Sequence, residues 1–296
     1  MILHCAFIGF GKSTTRYHLP YVLHRKDRWQ VAHIYRRRAK PEEQAPQYSH
    51  IHFTSDLEEV LNDPLVKLVV VCTHADSHFE YAKKALEAGK NVLVEKPFTP
   101  TLEEAKTLFA LANSKGLTVT PYQNRRFDSC FLTTKKVIES GKLGELVEIE
   151  SHFDNYRPLA ETNPGGPQNG EFYGLGVHTL DQIISLFGRP DHVSYDLRSL
   201  RNKANPDDTF EAQLFYGDMK AIVKTSHLVQ IDYPKFIVHG HKGSFVKYGI
   251  DQQETSLKAN IMPGEPGFGA DDSVGELVYV NEAGEMVREA VPLESG

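Results

Sequence analysis

Apolar positions recur along this chain with two different rhythms, and the change falls near residue 122. In the first part, short unbroken apolar runs alternate with stretches of helical spacing. Ile2 to Ile8 is continuous, as a strand buried on both faces would be. Gln30 to Tyr35 follows a helical stretch interrupted by Pro20, and Lys67 to Thr73, Asn91 to Glu95 and Leu117 to Pro121 repeat the style. Ser55-Asp56-Leu57-Glu58 and Thr101-Leu102-Glu103-Glu104 both read as capping boxes. The helix from about Ser77 stops at Gly89 and the one from Thr101 at Gly116, where glycine suits a left-handed terminus. This alternation predicts an α/β domain over residues 1–122, a doubly wound parallel sheet of the Rossmann type with helices on both faces.

The second rhythm is different. A helix from about Asp128 to Ser140 stops at Gly141. Glu145 to Phe153 alternates, with Val147, Ile149 and Phe153 on one face and Glu148, Glu150 and His152 on the other, as in a half-exposed antiparallel strand. One helix, His178 to Phe187, precedes strands near 192–200, 209–216, 219–227 and 235–240, with strand-like runs at 275–280 and 286–291. Strands without helices between them predict a C-terminal α+β domain over 123–296, built on an open, mostly antiparallel sheet. Asn163-Pro164-Gly165-Gly166-Pro167 reads as a loop and a candidate lid. Few helices are left to cover the sheet, so its open face is expected to meet a second copy, giving a homodimer or larger closed assembly.

Composition narrows the classes. A length of 296 residues suits two domains, and 40% hydrophobic with 24% charged residues suits an ordinary globular protein. A net charge of −6 gives no basic field for nucleic acid or an anionic membrane. No run of about 18 apolar residues is present, and the N-terminus lacks a basic leader, so a cytoplasmic location is expected. Cys5, Cys72 and Cys130 are odd in number and far apart, which points to reduced core thiols. His74 and His78 have helical spacing but no evident third ligand, so no metal is expected.

The chemistry concentrates in three places. Gly9-Phe10-Gly11-Lys12-Ser13-Thr14 follows the first strand and opens a helix. The first glycine permits a tight turn, and the second lets a pyrophosphate approach free N–H groups at a helix N-terminus. Thr14 stands where a third glycine would ease helix–strand packing, so packing or tilt there must differ. The end of the second strand reads Tyr35-Arg36-Arg37-Arg38 with no acid nearby. Arg36 or Arg37 suits a 2′-phosphate, which predicts NADP, with NAD as the alternative. After the fifth strand, Val94-Glu95-Lys96-Pro97 places a lysine where doubly wound sheets bind ligands, beside a proline that is a candidate for a cis bond.

From these residues a family resemblance emerges. Thr73-His74-Ala75-Asp76-Ser77-His78, then Ala85 to Pro97 through Glu95-Lys96-Pro97, resembles the Gfo/Idh/MocA oxidoreductases, among them glucose–fructose oxidoreductase and inositol dehydrogenase. The likeness continues through Tyr122-Gln123-Asn124-Arg125-Arg126-Phe127-Asp128 and Gly176-Val177-His178-Thr179-Leu180-Asp181. It implies NAD or NADP, an active site in a cleft between the domains, and hydride transfer at a hydroxyl or carbonyl of a sugar, polyol or related small molecule. It implies that Lys96 orients the reacting oxygen and that His178 is the general acid/base. Thr73, His74, His78, Glu95 and Asn124 are then candidates for the cofactor. Arg125, Arg126, Asn155, Arg157, Asp181 and Tyr233 are candidates for the substrate.

The sequence departs from that pattern at Gly174, where the resemblance implies an Asp four residues before the histidine. Relatives of this kind also continue for several tens of residues, so this chain is either shortened or short by nature. Three readings stay open: an NADP-dependent dehydrogenase, a cofactor-binding sensor without turnover, and a glycosidase that uses hydride transfer transiently.

Overall fold

The computed structural model describes residues 2–159 and 165–296. They form two compact units. One holds the chain up to Tyr122 together with Glu254–Phe268, the other Gln123–Gln253 with Gly269–Gly296.

In the first unit, β1 (Leu3–Ile8), β2 (Trp29–Tyr35), β3 (His52–Thr54), β4 (Val66–Val71), β5 (Asn91–Val94) and β6 (Val119–Pro121) form one parallel sheet. Its order, β3-β2-β1-β4-β5-β6, is the dinucleotide-binding order, with the switch point between β1 and β4. The unbroken apolar runs have a simple cause. Ala6 and Ile8 enter one core with Val69, Val71, Val92 and Val94, while Cys5 and Phe7 enter the other with Val31, Ile34 and Val70. Each such side chain fully buried contributes about 1.5–3 kcal/mol. Helices α1 (Leu19–His24), α2 (Leu57–Asn62), α3 (His78–Glu87) and α4 (Leu102–Lys115) connect the strands.

The capping box at Thr101 is present, with Glu104 answering it, and Gly116 closes α4 at φ 65°. At α2 the cap is one residue later than expected. Asp56, not Ser55, accepts the Glu58 N–H, because Thr54 Oγ1 takes the Asp56 N–H and sets the turn. The returning segment was not anticipated either. Glu254 accepts the Tyr17 hydroxyl at 2.9 Å, and Phe268 packs edge-on to Tyr21 at 6.0 Å.

The second unit contains α5 (Ser129–Glu139), β7 (Leu146–His152), α6 (Val177–Phe187), β8 (His192–Arg198), β9 (Thr209–Tyr216), β10 (Met219–Ser226), β11 (Phe236–Gly240), β12 (Gly243–Lys247), β13 (Gly275–Val280) and β14 (Met286–Val291). The eight strands run β14-β13-β12-β11-β7-β10-β9-β8. The β7–β10 pair is parallel and the other described pairs are antiparallel. One face packs Ile149, Ala212, Leu214, Val223, Val238, Phe245 and Leu277 with Val137 and Ile183. Val147, expected with Ile149 on that face, is 44% exposed, while His152 on the other face is buried.

The open face mixes charged pairs with apolar side chains. Lys220 meets Glu148 at 2.6 Å, Arg288 meets Glu276 at 2.8 Å, and His192 stacks on Phe215 at 4.2 Å. Between these charges the same face carries Ile222, Ile237, Val246 and Val278, each half-buried. Asn163 and Pro164 of the candidate lid lie outside the described residues, and Pro167 opens a 3₁₀ turn to Asn169. The three cysteines are free and buried. Among the described residues, no helix is long and apolar enough to cross a membrane.

Candidate active site

The carboxyl ends of β1, β2 and β4 open into a groove of about 920 Å³, lined by Gly9 to Ser13, Tyr35 to Arg38, Lys40, Thr73, His74 and their neighbours. Gly9 sits at φ +111°, and a Cβ there would lie 2.7 Å from the Cys72 carbonyl oxygen. Only glycine closes this turn. Gly11 differs, because nothing lies within 4 Å of where its Cβ would be. The protein's own packing does not require that glycine. The vacant volume beside a helix N-terminus fits a pyrophosphate. Thr14 is fully buried with its hydroxyl on the Gly9 carbonyl at 2.8 Å. The helix accommodates it by opening with a wide π turn, Thr14–His18, ahead of α1. Phe10 contributes backbone to the groove while its ring packs against Tyr48 and Phe53. Lys12 lines the groove and is exposed.

The arginine cluster at the end of β2 does have an acid. Glu43 grips Arg36 through two bonds, Nε to Oε1 at 2.7 Å and Nη2 to Oε2 at 2.9 Å. The Arg36 hydrogen bond holds the Glu43 carboxyl below its usual range. The sequence expectation looked only a few residues ahead, and the acid arrives seven residues on, in a 3₁₀ turn over Pro41–Gln44. Arg36 is thus a strut, and Arg37 and Arg38 are the exposed cations of the groove wall. Lys40 Nζ donates to the Phe10 carbonyl at 2.6 Å and ties this turn to the glycine loop.

Glu95 faces inward. Its carboxylate accepts the Ser13 hydroxyl, the His18 ring at 2.9 Å and the Lys96 N–H at 3.0 Å. The residue proposed from sequence as a cofactor contact therefore joins the phosphate loop to the lysine corner. Burial disfavours the charged forms of both partners. Even so, His18, beside Cys72 and Glu95, is pushed up to about 9, and Glu95 is held below the usual carboxylate range. His18 also lies 4.1 Å from the Tyr122 ring. The Lys96–Pro97 bond is cis and Lys96 is half-buried. His78 is buried, with its ring nitrogens 2.9 Å from the Pro97 carbonyl and 3.0 Å from that of Thr73, so it braces the corner and has no nitrogen left for a cofactor. Thr73 Oγ1 accepts the Ser77 hydroxyl at 2.8 Å.

The remaining candidates lie in the second unit. Asn124 begins a 3₁₀ turn, Asn124–Phe127, and does not line the groove. Arg126 is held by Asp181 through two bonds of 2.7 Å, and Arg125 by Asp128 at 3.2 Å, so both proposed anion binders are ion-paired, as is Asp181. His178 is buried in the first turn of α6, after a π turn over Phe172–Gly176. At Gly174 the carboxylate of Glu171 leans over the bare backbone, 3.2 Å from an added Cβ, and Glu171 Oε1 lies 3.3 Å from His227 Nε2. Asn155 holds β10's end through its N–H on the Ser226 carbonyl, Arg157 is exposed, and Tyr233 stacks on His152 at 4.8 Å.

Sequence reasoning missed Glu43, His18, Glu171, His227 and Lys235. Lys235 is buried with Nζ on the His152 carbonyl at 2.8 Å, and burial brings its pKa down to about 8. Of these, Lys235, a charged residue directly before the apolar Phe236–Val238, carried a local signal.

Comparison with known proteins agrees with this geometry. Residues 3–123 match the oxidoreductase family with an NAD-binding Rossmann fold, and residues 135–294 match that family's C-terminal alpha/beta domain. The chain is 85% identical to the oxidoreductase YhhX of Escherichia coli strain K12, over all of this chain and 86% of that protein. It is 35% identical to scyllo-inositol 2-dehydrogenase (NADP(+)) IolW of Bacillus subtilis strain 168, over 98% of this chain and 81% of IolW. A crystal structure of an oxidoreductase from Bacillus cereus superimposes with a TM-score of 0.96 at 48% identity, covering 99% of this chain and 85% of that one. With both domains matched and the dinucleotide-binding strand order in place, the chain belongs to the Gfo/Idh/MocA family of oxidoreductases.

Proposed function

We propose that the chain is an NADP-preferring dehydrogenase acting on a hydroxyl or carbonyl of a sugar or polyol. The observation that carries the cofactor preference is the wall at the end of β2. Arg37 and Arg38 are exposed there, and Glu43, an acid that follows β2, is neutralised by Arg36. At the end of β2 a 2′-phosphate finds these cations beside a carboxylate that Arg36 already neutralises. The NADP named for IolW supports the same reading.

The nicotinamide, when bound, accepts or supplies a hydride. Gly9 to Ser13 hold the pyrophosphate through backbone N–H groups and leave room for it at Gly11. Lys96 donates a hydrogen bond to the reacting oxygen, and Glu95 fixes its backbone. His178 takes the hydroxyl proton in oxidation and returns it in reduction. The three buried free thiols support work in a reducing, cytoplasmic setting. The open sheet face, where charged pairs flank Ile222, Ile237, Val246 and Val278, is the surface on which we place a homodimer.

The test is fluorescence titration with NADPH and NADH, followed by a sugar and polyol screen of wild type and Lys96→Ala. NADPH should bind at least about tenfold tighter. The variant should lose about 10²–10⁴-fold in kcat while NADPH affinity holds. Equal affinities would remove the cofactor preference, and an active Lys96→Ala would remove the lysine's role.

A further inference from the structure

The eight-stranded sheet ends on one side in an edge without the usual guards. β8 is its last strand, and all 7 residues of His192–Arg198 are exposed. The register with β9 is regular over that whole length. In it Val193, Tyr195 and Leu197 stand beside Leu214, Ala212 and Phe210, which are each 1% exposed in the core. The apolar face therefore runs past the covered core onto β8, where Val193, Tyr195 and Leu197 are 47%, 69% and 40% exposed.

The opposite edge shows a guard in place. On β14, Glu289 stands beside Leu277 on the same apolar face. Its carboxylate accepts Lys142 Nζ at 2.6 Å and the Tyr279 hydroxyl at 2.8 Å. An inward charge of this kind, a proline, a bulge or a lysine keeps an edge strand from pairing with another chain. On its apolar face β8 carries none of these, and its outer N–H and C=O groups face away from the sheet.

The sequence of β8 complements itself in one register. A two-fold axis through Tyr195, perpendicular to the sheet, keeps each face on its own side and pairs the strand over its full length. Val193 then meets Leu197 of the second copy, and Tyr195 meets its own counterpart, the apolar and aromatic pairs that stabilise antiparallel strands. On the other face the Ser194 hydroxyl meets the Asp196 carboxylate of the second copy. Arg198 already holds Asp196 at 2.9 Å, so its charge is balanced where it meets His192. Any other axis shortens the overlap, and one at Asp196 sets two carboxylates face to face.

We propose that β8 is an interaction surface for a second copy of this chain, paired antiparallel about a two-fold axis at Tyr195 into one continuous sheet. A two-fold contact closes on itself, so it uses up the edge and does not propagate into a fibre. It lies at the rim of the sheet and not on the open face, so the two contacts are separable by substitution.

The experiment is light scattering of the whole protein at micromolar concentration, with Tyr195→Lys, and oxidation of Tyr195→Cys. Tyr195→Lys sets two cations against each other at the axis. Its mass should fall to about half, with Tm and NADPH affinity unchanged, because this side chain is exposed in the single chain. In Tyr195→Cys the opposed Cα atoms of the antiparallel pair lie about 4.5–5.5 Å apart, within disulfide reach, so mild oxidation should give a covalent dimer. The native cysteines are free and buried, so wild type treated alike should give none. Ile222→Lys disturbs the open face and should leave the Tyr195→Cys cross-link in place. A monomeric wild type would assign the edge to a different chain and overturn the proposal. So would a mass unchanged by Tyr195→Lys, no covalent dimer from Tyr195→Cys, or loss of that cross-link on adding Ile222→Lys.

Discussion

The two units build their chemistry from different materials. In the first, backbone does most of the work: a glycine turn with no room for a side chain, a helix N-terminus, and a second glycine that keeps space open. Its buried ion pair, His18 with Glu95, lies beneath the loop and holds it. In the second, side chains do the work. Asp128, Arg125 and Lys235 form a buried charged group, and Glu171, just before the π turn, faces His227 beyond the end of β10. A backbone site depends on a few positions where only one residue type fits. A side-chain site depends on who pairs with whom across the sheet.

The sharpest way to break the contrast lies within the glycine loop. Gly9→Ala puts a Cβ against the Cys72 carbonyl at 2.7 Å and strains φ +111°. It should cost roughly 2–4 kcal/mol in urea unfolding and abolish NADPH binding, since the backbone must move to admit it. Gly11→Ala meets nothing within 4 Å, so its Tm should stay within a degree or two of wild type while NADPH binding weakens at least about tenfold. Equal destabilisation by both substitutions would show that Gly11 serves packing and not the pyrophosphate.

A somewhat smaller effect separates the two buried charge groups by pH. His18 is raised from 6.5 to about 9. Between those values the folded state holds the extra proton, so this stabilisation is complete below pH 6.5 and is lost as pH rises through 9. Asp128 is raised by burial from 3.8 to about 6, against the pull of Arg125. Its contribution is complete below pH 3.8 and lost as pH rises through 6, so at neutral pH the ionised carboxylate stands at a cost. Each shift corresponds to about 3 kcal/mol at most. His18→Gln should flatten the stability profile in the upper window alone, and Asp128→Asn in the lower window alone. Profiles parallel to wild type in both windows would remove the distinction.

The same division explains what the sequence disclosed. The parallel sheet, its helices and the glycine loop were readable because burial on both faces leaves unbroken apolar runs, and because Gly9 and Gly116 occupy backbone conformations that mark themselves. Thr14 was readable as a departure, and the π turn is how the helix absorbs it. Glu43 was not, because its bond to Arg36 spans seven residues and a turn with no strong periodicity. Glu171 and His227 lie 56 positions apart and meet only through tertiary packing. No local pattern announces such a pair. His152 misled in the opposite way. Alternation placed it on an exposed face, but Glu150 at 2.8 Å, Asp154 at 3.1 Å and the Tyr233 ring bury it.

The smallest predicted effect tests the open face of the second sheet. Lys220 and Glu148 face each other across β10 and β7 at 2.6 Å, each partly exposed in the isolated chain. A pair in that setting contributes between zero and about 1 kcal/mol, because water screens it and two side chains must be held still. A double-mutant cycle of Glu148→Gln and Lys220→Met, read by urea unfolding, should therefore return a coupling under about 1 kcal/mol in a monomer. If a second copy covers this face, the pair is desolvated. Removing one partner then leaves a buried charge alone, at a cost of about 3–5 kcal/mol. Light scattering on the same variants separates the cases. A small coupling with an unchanged dimer mass would place the interface elsewhere, whereas a large coupling accompanied by dissociation would place it on these strands.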